Sequence, residues 1–268
     1  DFVRTYDGAG NGRVKGDFSI HAEYTNSAEG IERYARICRE MNGRMQLHLS
    51  ETVAEHEGCK RKYGKTPTRF FADLGVFDSP TTAAHCVHVE PEDIEILAKY
   101  GVVPVHNPSS NLKLGSGVMP MREMLDAGLR VAIGTDGSAS NNNQNILEEL
   151  HLAAMIHPGV KHDPTLLRAE EMLEMATING ARTQGRTDCG ALKVGYKADM
   201  ILIDTNKAHL IPDHDTAALI VYSAQASDVA LTMIDGQVVY ENGHYLTLDF
   251  ARLKTDVEAA TARIFDKK

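Results

Sequence analysis

The chain has 268 residues, 43% of them hydrophobic and 24% charged, which suits one large α/β domain or two smaller globular units. Its 28 Lys and Arg residues against 37 Asp and Glu residues give a net charge of −9, and no basic run accumulates, so we expect no nucleic-acid partner. The four Cys residues form no CxxC pair and no apolar run reaches the ~20 residues that span a bilayer, so we expect a cytoplasmic protein without a membrane partner.

Short apolar runs alternate with amphipathic stretches as far as about residue 160, which predicts βα units on a parallel sheet. The predicted strands are Asp17–His21, Met45–Leu49, Thr81–His85, Val102–His106 and Arg130–Thr135. The predicted helices between them are Ala28–Met41, Thr52–Tyr63, Glu92–Tyr100 and Val118–Ala127. Gly43, Gly75, Gly101 and Gly128 stand where these helices should end, since glycine tolerates the left-handed backbone of a helix C-terminus.

The second half of the chain changes from a helical to a β pattern near residue 190. The predicted helices are Asn145–His157 and Ala169–Gln184, and the predicted strands are Ala198–Asp204, Ala217–Ser223, Val229–Ile234 and Gln237–Tyr240. The pair Asp235-Gly236 between the last two strands predicts a tight hairpin turn.

Polar residues follow each of the five strands predicted in the first half of the chain. They are His21, His48 with Glu51, His85, His106 with Asn107, and Asp136. Any one of them could be a satisfied polar residue at a strand end. Their recurrence over consecutive βα units favours a shared site at the C-terminal edge of the sheet, where barrel enzymes place their active sites.

The residue types at this edge suit a divalent metal that activates water, because imidazole and carboxylate groups on rigid elements bind such an ion. The spacing of His48 and Glu51 is a weak motif alone, and His85 and Asp136 add a histidine and a carboxylate of the right kind. The remaining histidines singled out are expected to be surface or structural residues: His56, His88, His151, His157, His162, His214 and His244. The run Asn141–Asn143 is either a loop or helix cap or a binding element.

Several segments together resemble the amidohydrolase superfamily, and within it the group that deaminates methylthioadenosine and S-adenosylhomocysteine. They are His48–Glu51, Ala84–Cys86, His106–Leu114, Gly134–Asn142, Met175–Ala181 and Gly195–Asp199. The resemblance runs from about His21 to Asp249. It implies an α/β fold in which residues 1–189 form a partial TIM-like (β/α) barrel, made of strands 4 to 8 of the parent fold. Residues 190–249 would be a remnant of a small β-sandwich domain, and residues 250–268 a C-terminal helix.

The resemblance also implies roles for individual residues. His48 and Asp136 correspond to ligands of one divalent metal, with zinc expected and iron or manganese as alternatives. His85 corresponds to a residue that hydrogen-bonds the attacking water, and Glu51 to the acid that protonates the purine ring nitrogen while contacting the substrate. Asp136 would also accept the proton of the water. His21 and Ser140 correspond to substrate contacts, at the ribose and the substrate tail.

One departure from the family stands out, because the sequence contains no HxH pair and the family carries one at its first barrel strand. We therefore expect an N-terminally truncated member with an incomplete metal site, whose five strands cannot close a barrel of eight. Its partners would be a small nucleoside substrate and either the missing N-terminal segment or further copies of the chain. The alternatives are a related amidohydrolase acting on guanine or a triazine-type heterocycle, and an inactive fragment.

Overall fold

Five parallel strands form the larger sheet in a computed structural model that describes residues 2–265. They are β1 (Phe18–Ile20), β2 (Met45–Leu49), β3 (Thr81–His85), β4 (Val103–His106) and β5 (Ala132–Ile133). The strands lie in chain order across the sheet, and each pairs in parallel with the next. The five predicted strands are confirmed, and the two edge strands are shorter than predicted.

Helices cover one face of this sheet. Those of the first half are α1 (Phe2–Tyr6), α2 (Ala28–Glu40), α3 (Val53–Tyr63), α4 (Pro67–Asp73), α5 (Pro91–Tyr100), α6 (Pro108–Lys113) and α7 (Met121–Asp126). Side chains alternate along the strands, so that Met45, Leu47 and Leu49 of β2 are buried in the core with Leu97 of α5, whereas Gln46 on the opposite face is exposed. The helix-covered face of the sheet is therefore packed, and the face that carries Gln46, Thr82 and Ala84 is less buried.

Glycines end two of the predicted helices in the expected way, since Gly101 after α5 has φ +65° and Gly128 after α7 has φ +81°. The expectation for Gly43 was wrong, because Asn42 adopts the left-handed backbone after α2 instead, with φ +50°. Gly43 is needed for space. A Cβ atom there would lie 2.6 Å from Cε2 of Phe18.

Further helices follow the parallel sheet: α8 (Ser138–Asn141), α9 (Ile146–Lys161), α10 (Ala169–Glu174) and α11 (Gly180–Thr183), with a π-helical turn at Met175–Asn179 joining the last two. The single helix predicted over Ala169–Gln184 therefore contains a widened turn. The segment Ala217–Ser223 was predicted to be a strand and this is wrong, because it forms helix α12 (Thr216–Tyr222). The side chain of Asp215 accepts a hydrogen bond from the Ala218 amide and caps this helix.

A second, antiparallel sheet lies in the C-terminal part and contains β6 (Met200–Ile203), β7 (Val229–Ile234), β8 (Gln237–Glu241) and β9 (His244–Tyr245). The predicted hairpin turn is confirmed, since Asp235 and Gly236 have φ +50° and +79°, as a type I′ turn requires. Helix α13 (Phe250–Phe265) follows, and residues 266–268 of the predicted C-terminal helix lie outside the described residues. The domain boundaries at residues 189/190 and 249/250 stay a prediction.

Within residues 2–265, no helix is both long and apolar enough to cross a bilayer.

Candidate functional site

The C-terminal ends of the parallel strands bring four of the predicted site residues together. The imidazole of His48 on β2 lies 4.9 Å from that of His21 and 5.4 Å from that of His85, measured between ring centroids. The His85 Nε2 atom lies 3.8 Å from Oε2 of Glu51, which follows β2 in the next turn. The register of β2 and β3 sets this proximity, since Leu49 pairs with His85.

The His21 carbonyl group orients the imidazole of His48. This oxygen accepts a hydrogen bond from the His48 amide at 3.1 Å and another from Nδ1 at 2.7 Å. A carbonyl can only accept, so Nδ1 carries the proton and Nε2 keeps its free lone pair. Histidines that bind metals are held in the same way, with one ring nitrogen donating to a carbonyl and the other facing the ion.

His85 is held from the opposite side by a side chain of α6. Its Nδ1 atom donates to Oδ1 of Asn111 at 2.8 Å, and the residue is 1% exposed. The backbone of His85 is left-handed, with φ +73°, and so is that of Cys86, with φ +48°. This turn of the chain at the end of β3 leaves Nε2 of His85 on the side of Glu51.

The carboxylate of Glu51 is half-buried and has a hydroxyl partner as well as His85. Oε1 of Glu51 accepts a hydrogen bond from Ser116 at 3.3 Å. Sequence reasoning did not assign a role to Ser116 or to Asn111. Asn111 stands in the His106–Leu114 segment that carried the family resemblance, whereas nothing in the sequence marked Ser116.

Asp136 lies just past β5 in a left-handed turn, with φ +59°. Its Oδ2 atom accepts from the Ser110 hydroxyl at 2.6 Å, and its Oδ1 atom accepts from the Gly137 amide at 2.7 Å. Burial raises the pKa of this carboxyl, but these two hydrogen bonds and the nearby imidazoles of His85 and His48 outweigh it and hold the pKa below its usual value. The carboxylate is therefore ionised at neutral pH.

The two predicted substrate contacts are less closely tied to this cluster. His21 is exposed, and its Nδ1 atom forms a hydrogen bond with the Thr25 hydroxyl at 3.2 Å. The centroid of its ring lies 5.8 Å from that of Tyr24. Ser140 is half-buried in α8, four residues beyond Asp136. In the described part of the chain, no hydrogen bond joins its hydroxyl to the other predicted site residues.

His106 does not belong with the other residues at the strand ends, although it was grouped with them. It is 1% exposed, and its Nε2 atom lies 3.0 Å from Nε2 of His157 on α9. Burial lowers the pKa of His157 to about 4. His157 and His56, expected to be surface or structural residues, are both buried, and His56 lies between Ser50 and Glu90.

The donor groups of His48 and Asp136 fit a divalent cation, because an imidazole whose Nδ1 is engaged by a carbonyl and an ionised carboxylate are both ligand types that such ions accept. Among residues 2–265, no group of three or more His, Cys, Asp or Glu side chains is arranged to hold a metal ion. His48 and Asp136 are therefore two side chains of the types that bind such an ion.

Comparisons with known proteins place this geometry in a family. A model of the amidohydrolase family matches residues 2–239. The 5-methylthioadenosine/S-adenosylhomocysteine deaminase of Acetivibrio thermocellus is 43% identical over 265 residues, which cover 98% of this chain and 62% of that protein. The protein of the same name from Caldanaerobacter subterraneus is 44% identical over 259 residues, which cover 96% of this chain and 60% of that protein. The chain therefore spans about three fifths of the length of these relatives.

Solved structures give the same result for the fold. An adenosine deaminase from Xanthomonas campestris with bound zinc superposes with a TM-score of 0.90 and 32% identity, over 93% of this chain and 57% of that one. An atrazine chlorohydrolase from Arthrobacter aurescens complexed with zinc gives 0.87 and 32%, over 92% of this chain and 55% of that one. Together with the parallel sheet, these matches show a TIM-like α/β fold.

Proposed function

Because the chain belongs to the amidohydrolase family, we propose that the protein of which it forms part hydrolytically deaminates an adenosine-like nucleoside and releases ammonia. The substrate would be methylthioadenosine, S-adenosylhomocysteine or adenosine. The observation that carries this proposal is the approach of Glu51 to His85, 3.8 Å apart, beside His48 at the C-terminal edge of the sheet. The relatives that are 43% and 44% identical to the chain bear the names of such deaminases.

The finer architecture forms part of the same proposal. Strands β1 to β5 would be strands 4 to 8 of an eight-stranded barrel, and β6 to β9 would complete a small β-sandwich domain. Two observations support this. The five strands lie in chain order, and the sheet face that carries Gln46, Thr82 and Ala84 is only partly buried, as a barrel interior would be before the other strands are added.

His48, through Nε2, and Asp136 would hold one divalent ion, for which zinc is the first candidate because two similar structures contain it. When bound, such an ion supplies Lewis acidity that makes water a good nucleophile near neutral pH. The further ligands would come from outside residues 1–268, either from a preceding segment or from another copy of the chain.

The side chains at the site would then handle the protons of the reaction. Glu51, in its protonated form, donates to the ring nitrogen next to the amidine carbon as the oxygen of water bonds to that carbon. Asp136 accepts a proton from the water and passes it to the amino group, which leaves as ammonia. The hydroxyl proton of the adduct returns to Glu51, and the carbonyl product remains. His85 holds the attacking water through Nε2, because its Nδ1 proton is engaged by Asn111.

His21 and Ser140 would contact the ribose and the tail of the substrate. The exposed imidazole of His21 beside Tyr24 supports this role for His21. Truncating either residue should therefore reduce kcat/KM for nucleosides by about 10-fold or more, because a hydrogen bond to the substrate is lost. The kcat/KM for the free base should not change. Equal losses for nucleoside and base would contradict a ribose contact.

A second candidate substrate class is an aminated or halogenated heterocycle such as a triazine. The similarity to the atrazine chlorohydrolase, at 32% identity, favours it. Ammonia release measured over a panel of nucleosides, guanine and triazines separates the two classes.

The direct test is Glu51→Gln in the full-length protein. Turnover should fall by roughly 10² to 10⁴ with metal content unchanged, since Glu51 transfers a proton and is not a ligand. His48→Ala and Asp136→Ala should lose the metal. Glu57→Gln, on the outer part of α3, serves as the control and should behave as wild type. A Glu51→Gln protein that keeps more than about one tenth of the turnover would remove Glu51 from the proton-transfer role.

A further inference from the structure

Two buried glutamates lie behind the turns that carry Glu51 and Asp136. Glu55 is 8% exposed and stands in the first turn of α3, the helix that follows β2. Glu149 is 1% exposed and stands in the first turn of α9, the second helix after the Asp136 turn. Both accept hydrogen bonds from residues outside their own helices.

Glu55 accepts hydrogen bonds from three successive backbone amides. Oε1 accepts from Ser50 at 2.8 Å, and Oε2 accepts from Glu51 at 2.6 Å and from Thr52 at 3.3 Å. Ser50 has a left-handed backbone, with φ +48°, so this turn is a conformation that needs support. His56 adds a contact from Nδ1 to the Ser50 hydroxyl at 3.1 Å.

Glu149 joins two short helices, α6 and α8, instead of three neighbouring amides. Its Oε2 atom accepts from the Ser109 amide at 3.0 Å, and its Oε1 atom accepts from Nδ2 of Asn141 at 2.7 Å. The same Nδ2 donates to the Thr135 carbonyl at 2.7 Å. The chain on either side of these contacts carries Ser110 and Asp136, which are hydrogen-bonded to each other. Glu149 therefore ties together the two segments that hold the Asp136 carboxylate.

Helix capping explains only a small part of these contacts. A capping box uses only the hydrogen bond that the amide of the N-cap residue Thr52 donates to Glu55. The hydrogen bonds that the Ser50 and Glu51 amides donate to Glu55 come from residues before the helix. Helix α9 is capped by Asn145, whose side chain accepts from the Leu147 amide, so Glu149 is not needed for that purpose. Both carboxylates thus constrain turns of the site more than they stabilise their helices.

We propose that Glu55 and Glu149 are positioning residues, Glu55 fixing the turn that carries Glu51 and Glu149 fixing the turn that carries Asp136. The assignment of these turns to catalysis rests on the proposed function. The two braces act on different parts of the reaction, since Glu51 is assigned to proton transfer alone, whereas Asp136 is assigned to metal binding as well as to proton transfer. Their loss should therefore produce different defects.

The test compares Glu55→Gln and Glu149→Gln in the full-length metal-loaded protein. An amide group has a donor where the carboxylate has an acceptor, so each glutamine loses at least one of the hydrogen bonds to the turn. Glu55→Gln should lower kcat about 10-fold or more, with KM and metal affinity close to wild type. Glu149→Gln should weaken metal affinity by about 10- to 100-fold, and part of the lost kcat should return when metal is added in excess. The matched controls are Glu57→Gln and Glu170→Gln, at helical glutamates that are more exposed than Glu55 and Glu149.

Hydrogen–deuterium exchange on the same proteins gives a measurement that does not depend on activity. Glu55→Gln should accelerate exchange in residues 49–53 and leave residues 135–142 protected, and Glu149→Gln should do the reverse. If either protein fails to fold, Glu55→Asp or Glu149→Asp replaces it, because aspartate keeps the charge but withdraws the carboxylate by one methylene.

Two results would overturn the proposal: unchanged exchange in the braced turn, or the same loss of kcat and metal affinity in both variants, as general destabilisation would cause. A wild-type protein without deaminase activity would contradict the proposed function alone, and the exchange pattern would still decide whether the glutamates hold these turns.

Discussion

The parallel-sheet region and the C-terminal region differ in how far they bury their apolar side chains. Leu47 and Leu49 on β2 are 1% and 0% exposed, whereas Ile201 and Leu202 on β6 are 47% and 54% exposed. Helix α9 buries one side of its surface, but α13, of the same length, has no buried residue. The candidate site is built only from the first region. The contacts that support the candidate site therefore lie in the region whose central strands are buried.

The largest effect is expected from shortening a core side chain of the parallel sheet. Leu47→Ala should lower the free energy of unfolding by about 2–5 kcal/mol, because it removes buried methyl groups and leaves a cavity. Leu202→Ala, the matched change in the C-terminal sheet, should cost less than about 0.5 kcal/mol, as surface substitutions usually do. Urea titrations of the two proteins measure this difference. Equal losses would show that the C-terminal sheet contributes as much to stability as the parallel sheet.

A smaller effect should come from Glu23, a buried acid of the first region whose pKa is raised. Burial, followed by the negative charge of Glu55, raises the pKa of Glu23 from 4.5 to about 7. Between these two pH values the unfolded chain releases the proton and the folded chain keeps it, so stability falls as pH rises through this window. Glu23→Gln, which has no proton to release, should flatten this slope and raise stability at pH 8 by on the order of 2 kcal/mol.

Thermal unfolding measured from pH 4 to pH 8 checks the prediction for Glu23, with Glu241→Gln as the control at an exposed position of β8. The control should leave the slope unchanged. An unchanged slope in Glu23→Gln as well would show that Glu23 is not kept protonated by burial.

The same contrast explains which parts of the fold could be predicted from the sequence. The strands of the parallel sheet were predictable, because β2 and its neighbours are short apolar runs between helices with clear boundaries. The segment Ala217–Ser223 was not, since an apolar run of this length fits a strand or a helix, and the decisive contact is the Asp215 cap together with burial of Val221. Helix α4 was missed, although Thr66 and Pro67 form a readable helix start.

The candidate site was predictable to the extent that strand ends define it. The approach of His48, Glu51 and His85 follows from parallel pairing of consecutive strands. The supporting contacts from Ser110 and Glu149 could not be predicted, because they join positions 26 and 40 residues apart through side-chain geometry. Glu55 was a partial exception, since Thr52 and Glu55 have the spacing of a capping box.

The smallest effect is expected where the chain is least packed, in α13. Val257→Pro removes a backbone donor and interrupts this helix, a change that costs about 3 kcal/mol or more in a helix that the fold depends on. Because α13 has no buried residue, its local unfolding exposes little additional apolar surface and is not coupled to the parallel-sheet core. Far-UV circular dichroism should therefore lose part of the helical signal, while the urea midpoint stays close to that of wild type, which corresponds to a change of less than about 0.5 kcal/mol in the free energy of unfolding. A large shift of that midpoint would mean that the helix is bound to the rest of the protein in solution, and the separation between the two regions would then be wrong.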